Sequence, residues 1–176
     1  MIRIALAIDR LCLGISRFAA WLALVMIGLG AFNAVARYLG RFVGIDLSSN
    51  TFIELQWYLF SAVFLLAAAG TLARDGHVRV DVFYGRLSPR GQARINLLGT
   101  VLLLVPFCAF ALWVSTPSVV SSWQVLEGSP DPGGLPRYPI KTLVPVAFAL
   151  LLAQGFARAV LHAAELRGEA SGADPA

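Results

Sequence analysis

The chain is poor in the residues that usually carry chemistry. It has two histidines, two cysteines and a single lysine in 176 residues. Cys12 and Cys108 lie in different apolar segments without Cys-x-x-Cys spacing, which indicates neither a disulfide framework nor a zinc site. His77 and His162 stand at the edges of apolar runs, so no run offers a histidine to haem, and the absence of paired cysteines removes a thiol oxidase. No Gly-x-Ser-x-Gly elbow, His-Glu-x-x-His pair or phosphate-cradling glycine loop occurs. The expectation is a protein that is not an enzyme and that carries neither metal nor cofactor.

Charge is scarce as well, at 14% of residues. The balance is basic, +4 with a pI near 9.6. The bases gather beside apolar runs and form no single solvated patch, which argues against a nucleic-acid partner and for topology determinants at lipid headgroups.

What the chain has is apolar length: 58% hydrophobic residues and a mean hydropathy of +0.74. Residues 18–36, 55–73, 95–114 and 142–157 contain no Asp, Glu, Lys, Arg or His. A helix needs roughly 20 apolar residues to cross a bilayer. The fourth run reaches that length when Arg158 snorkels outward and the helix continues to 164. The predicted fold is an all-α integral membrane protein with four transmembrane helices, a single domain over 1–167 and a disordered polar tail at 168–176.

Asp9 and Arg10 interrupt the first apolar stretch too early for a cleavable signal peptide. Arg3, Arg10 and Arg17 recur every seven residues and share one helical face, while Ile4, Leu6, Ile8, Leu11 and Ile15 cover much of the rest. The pattern suits an interfacial amphipathic N-terminal segment, or equally an extension of the first span. Orientation follows from counting bases. Arg3, Arg10, Arg17, Arg74, Arg79, Arg86, Arg90, Arg94, Arg158 and Arg167 fall on one side, ten in all, against Arg37, Arg41, Arg137 and Lys141, four in all, on the other. The positive-inside rule places both termini in the cytoplasm.

The first span is expected to close near Arg37–Tyr38, and Asn50 or Thr51 to cap the second. Gly30-x-x-x-Ala34 and the run Ala67-Ala-Ala-Gly70 allow close helix approach. The inner loop 74–94 is read as an interfacial helix around Phe83, Tyr84 and Leu87, after which Ser88 caps a helix opened by Pro89. Residues 95–126 are uncharged and, as one helix, would measure about 48 Å, so Pro117 is expected to stop the span and 119–126 to emerge as an outer apolar arm. Asn33, Ser61 and Ser115 are too few and scattered for a solute path. Glu54 is the deepest charge, about one turn inside the outer boundary. It either pairs with Arg37 or both are independent interfacial anchors. The chain reads as an accessory subunit; the alternative is an autonomous small transporter or channel using Glu54.

Three strings carry a resemblance: Asn33-Ala-Val-Ala-Arg37-Tyr38, Glu54-Leu-Gln-Trp57, and Gly70-x-x-x-Arg74-Asp75-Gly-His77-Val-Arg79-Val-Asp81. Together with Gly134-Leu-Pro136-Arg-Tyr-Pro139-Ile-Lys141 and the four spans, the chain resembles the small, DctQ-like membrane subunit of tripartite ATP-independent periplasmic (TRAP) transporters. The resemblance implies a multi-pass protein of the bacterial inner membrane and a sodium-coupled complex that takes up an organic acid. Its partners would be a large membrane subunit and a periplasmic solute-binding protein. By resemblance, Arg37, Glu54, Trp57, His77, Arg79 and Asp81 would serve the fold or the subunit interface. The outer-loop residues Glu127, Asp131 and Arg137 are candidates for docking the soluble protein.

Overall fold

The computed structural model of the chain describes residues 1–44, 49–76 and 84–167. Helix α1 spans Ile2–Val43, α2 spans Asn50–Ala73 and α3 spans Pro89–Gly99. A π-helical turn at Thr100–Leu104 joins α3 to α4 at Val105–Gln124. Helix α5 spans Tyr138–Arg167. Among the described residues four rods, with α3, the π turn and α4 forming one of them, are long and apolar enough to cross a membrane. They run up and down, so both termini lie at one end of the bundle, here the terminal end; the opposite end is the loop end.

The N-terminal segment is continuous with the first span, one of the two arrangements its pattern left open. At 42 residues α1 is about 63 Å long, roughly twice a hydrocarbon core. It also runs past Arg37–Tyr38, and ends where Gly44 adopts the left-handed conformation (φ 71°) and returns its N–H to the Gly40 carbonyl. Ser49, and neither Asn50 nor Thr51, caps α2: its backbone is extended and its hydroxyl accepts from Thr51 N–H at 3.2 Å. Ser88 caps α3 with Pro89 in the first turn, as expected.

The third rod does not stop at Pro117 but continues to Gln124, so 119–124 belong to the helix and form no arm. Proline at 117 removes the N–H that would serve the Trp113 carbonyl, and the helix runs through that gap. Ser115 and Thr116 both donate to the Leu112 carbonyl, at 3.2 and 2.6 Å. The rod closes at Leu126, where φ is 48°.

On α1 and the third rod the buried positions fall mostly on a seven-residue repeat, Ala36 being the exception. Along α1 they include Ala5, Cys12, Ala19, Asn33 and Gly40, all separated by seven or fourteen. This is the spacing of helices that wind around each other. In the third rod Ala93, Thr100, Cys108 and Ser122 are buried, and the one step of eight crosses the π turn. In an uninterrupted α-helix that extra residue would swing everything beyond it by about 100°. The wide turn absorbs it.

The interior is therefore lined by small side chains. α1 and α2 make the most extensive contact. At Gly70 a Cβ would collide with the Ser16 side chain and lie 2.9 Å from the Cys12 carbonyl oxygen. Large apolar residues face outward instead, among them Trp21, Phe64, Phe107 and Trp113. Where lipid is as apolar as leucine, helices gain by close backbone approach and leave bulky groups to the lipid.

Candidate functional site

The densest polar construction lies at the loop end, where residues 125–137 between α4 and α5 fold back onto the start of α2. Glu54, on the second turn of α2, is 3% exposed. One carboxylate oxygen accepts from the Ser129 hydroxyl and the other from the Leu135 backbone N–H. One turn on, the Tyr58 hydroxyl donates to the Pro136 carbonyl. One turn before, Thr51 Oγ1 donates to the Gly133 carbonyl at 2.6 Å. Asn50 reaches the Pro132 carbonyl at 3.4 Å. A single face of α2 thus supplies polar groups to backbone that has no secondary structure to satisfy it.

Two glycines permit this fit. Gly133 has φ 71°, and a Cβ on Gly134 would overlap Ser129 and lie 2.8 Å from Glu54 Oε1. The loop is held equally firmly to α4 and α5. Glu127 forms an ion pair with Lys141 and accepts from the Ser122 hydroxyl at 2.6 Å. The Lys141 ammonium and then the Ser122 hydroxyl hold the Glu127 carboxyl below its usual value of 4.5. Arg137 N–H donates to the Glu127 carbonyl at 2.7 Å, and its guanidinium lies 5.7 Å from the Trp57 ring centre. Trp123 Nε1 donates to Thr142 at 2.8 Å while its ring meets Tyr138 edge-on, centroids 4.5 Å apart. Trp57, Tyr58, Trp123 and Tyr138 gather at one level, as aromatic residues do at a membrane–water interface.

Of the residues expected to matter, Glu54, Trp57, Glu127 and Arg137 come together in this clamp. Asp131 joins only through its backbone: its N–H donates to Ser129 Oγ at 3.2 Å and its carbonyl accepts from Gly134 N–H at 3.1 Å. Arg37 stays apart. No ion pair links it to Glu54; it is exposed and lines a pocket of about 310 Å³ with Asn33 and Arg41. His77, Arg79 and Asp81 lie outside the described residues.

Sequence reasoning missed Ser129 and Tyr58, and it named Gly134 and Lys141 only within the string before the last span, with no role in holding the loop. The four-residue spacing of Glu54 and Tyr58, which stacks two polar groups on one face, was the available signal. It also missed a second polar contact, deep at the terminal end, where fully buried Gln154 donates to Asp9.

The clamp can hold a surface rigid. Both oxygens of Glu54 are engaged by loop donors, so neither stands open to a solute. Among the described residues no three of His, Cys, Asp or Glu gather as a metal site. The sequence model of the family described as tripartite ATP-independent periplasmic transporters, DctQ component, matches residues 26–165. No curated protein and no solved structure matches the chain.

Proposed function

The chain belongs to the DctQ family and is the small membrane subunit of a TRAP transporter; on that premise we propose that it acts as the fixed scaffold of an organic-anion uptake complex. In this reading both termini are cytoplasmic, the chain sits in the inner membrane, and the loop end faces the periplasm. The large subunit carries the substrate and coupling-ion sites, with sodium as the ion, and moves against the outer faces of this bundle. The clamped loop, with Glu127, Asp131 and Arg137, offers the soluble binding protein a docking surface whose shape does not change as the carrier moves.

The observation that carries the reading is the Glu54 clamp. An acid that couples transport must exchange ligands during the cycle, whereas Glu54 is committed to Ser129 and Leu135. Its role is positional, which weakens the alternative of an autonomous carrier using Glu54. Small residues inside and large ones outside also suit a bundle that offers its periphery to another membrane protein.

The test is reconstitution. The chain alone in vesicles should give no saturable uptake of organic anions, and together with the large subunit and binding protein it should restore uptake. Saturable flux by the isolated chain would overturn the scaffold reading. A Glu127→Ala/Arg137→Ala pair should weaken capture of the binding protein by the assembled complex; unchanged affinity would remove the loop from docking.

A further inference from the structure

A cavity of about 530 Å³ lies at the terminal end, between the last turn of α2, the α3 rod, the π turn and α5. Its walls are of two kinds. Leu72, Ile95 and Leu104 supply an apolar side, and Thr100, Arg158 and His162 a polar one. Arg158 Nε is buried without a hydrogen-bond partner among the described residues. A buried guanidinium N–H without an acceptor is costly, and an anionic oxygen is its natural partner. The surroundings reinforce that sign. Arg74, Arg90 and Arg94 are exposed at the same end. Among the described residues the acids nearby are Asp75 at the rim, which has its own interaction, and Glu165, bonded to His162 at 3.2 Å.

We propose that this cavity binds one anionic phospholipid, its phosphate on Arg158 and its chain against Leu72, Ile95 and Leu104. The inference needs only that the chain spans a membrane and does not depend on the transport mechanism. Inorganic phosphate would gain from Arg158 but nothing from the apolar wall. A lipid gains from both, and the cavity stands at the ends of spanning helices, where headgroups lie. Basic pockets between transmembrane helices are recurrent seats for such headgroups.

The test is native mass spectrometry of the full-length chain in mild detergent, titrated with dioleoylphosphatidylglycerol or dioleoylphosphatidylcholine. The glycerol lipid should be retained singly and in preference to the choline lipid. Arg158→Gln should cut its retention about fivefold, the effect of one basic residue at a lipid surface. Ile95→Trp, which narrows the apolar side at an exposed position, should do the same while leaving Arg158 in place. Excess inorganic phosphate should not displace the lipid. Equal retention of the two lipids, or displacement by phosphate, would overturn the proposal. Should Arg158→Gln fail to fold, Ile95→Trp decides: undiminished retention in that variant is equally fatal.

Discussion

The side-chain amide of Gln154 on α5 donates to a carboxylate oxygen of Asp9 on α1, across 145 positions of sequence. Gln154 is 0% exposed, and its own Oε1 has no partner among the described residues. Beside Asp9, at Cys12, the backbone is packed against Gly70 of α2. The polar contact thus lies where three helices converge and fixes how far α1 can slide along α5.

Replacing Gln154 with Leu should cost about 1 kcal/mol, the typical worth of a hydrogen bond between helices in lipid. The contact can be isolated by a double-mutant cycle with Asp9→Ala, read by unfolding in mixed micelles. A coupling energy near zero would make the contact incidental. Asp9→Asn keeps an acceptor for the Gln154 amide and should be milder than Asp9→Ala.

Glu54→Gln should loosen the loop at 125–137. A carboxylate accepts from both Ser129 and Leu135, whereas a carboxamide brings one oxygen and turns an NH₂ toward the other donor. Protease should cut the loop faster in vesicles, and less of the large subunit should co-purify. Wild-type cleavage and yield together would show the clamp to be dispensable.

Gly134→Ala tests the same clamp from the other side. The added methyl meets Ser129 and the Glu54 carboxylate, an overpacking that typically costs about 1–3 kcal/mol. Gly70→Leu should cost at least as much, because the Cys12 backbone cannot rotate away as a side chain can. Gly28→Ala, with open space around the position, should be silent. Thermal unfolding of the three variants in one detergent orders them.

Glu127 gives the loop a pH limit. Its carboxyl is held below 4.5 in the folded chain by Lys141 and then Ser122. The folded form binds a proton less readily than the unfolded form, so this contribution is complete above 4.5 and is lost as pH falls through the lower folded value. Loop protection from protease should be flat across neutral pH and fall only in acid. Glu127→Gln should flatten the acid limb. An unchanged acid limb in that variant would assign the transition to another group.

The four spans were legible because lipid imposes a simple rule of length and apolarity. The clamp was legible only in part. Glu54 stands out as a charge near an apolar boundary and Arg137 as an outer-loop base, but charge alone does not reveal a partner, and the sequence offers Glu54 only Arg37 or an independent anchoring role. Glu54 in fact bonds neutral donors, a serine hydroxyl and a backbone N–H, which leave no charge pattern. Asp9 was read with the arginines of the N-terminal segment, and Gln154 was passed over because it is uncharged. Arg3, Arg10 and Arg17 displayed the seven-residue repeat on the outer face. The same repeat, two positions on at Ala5, Cys12 and Ala19, runs along the buried face. Pro117 misled because proline is judged by a rule drawn from water, where freed carbonyls find solvent. Here the helix runs through Pro117 with one donor missing, while Ser115 and Thr116 bind the Leu112 carbonyl, one residue before the freed one.

The π turn at Thr100–Leu104 makes the third rod unusual in what it would survive. Excising one residue there would convert the wide turn to ordinary helix and leave Ala93 and Cys108 both facing inward. The same excision a few turns later would spin Ser122 toward lipid by about 100°. The rod thus holds one spare residue, and it can be given up only at that turn.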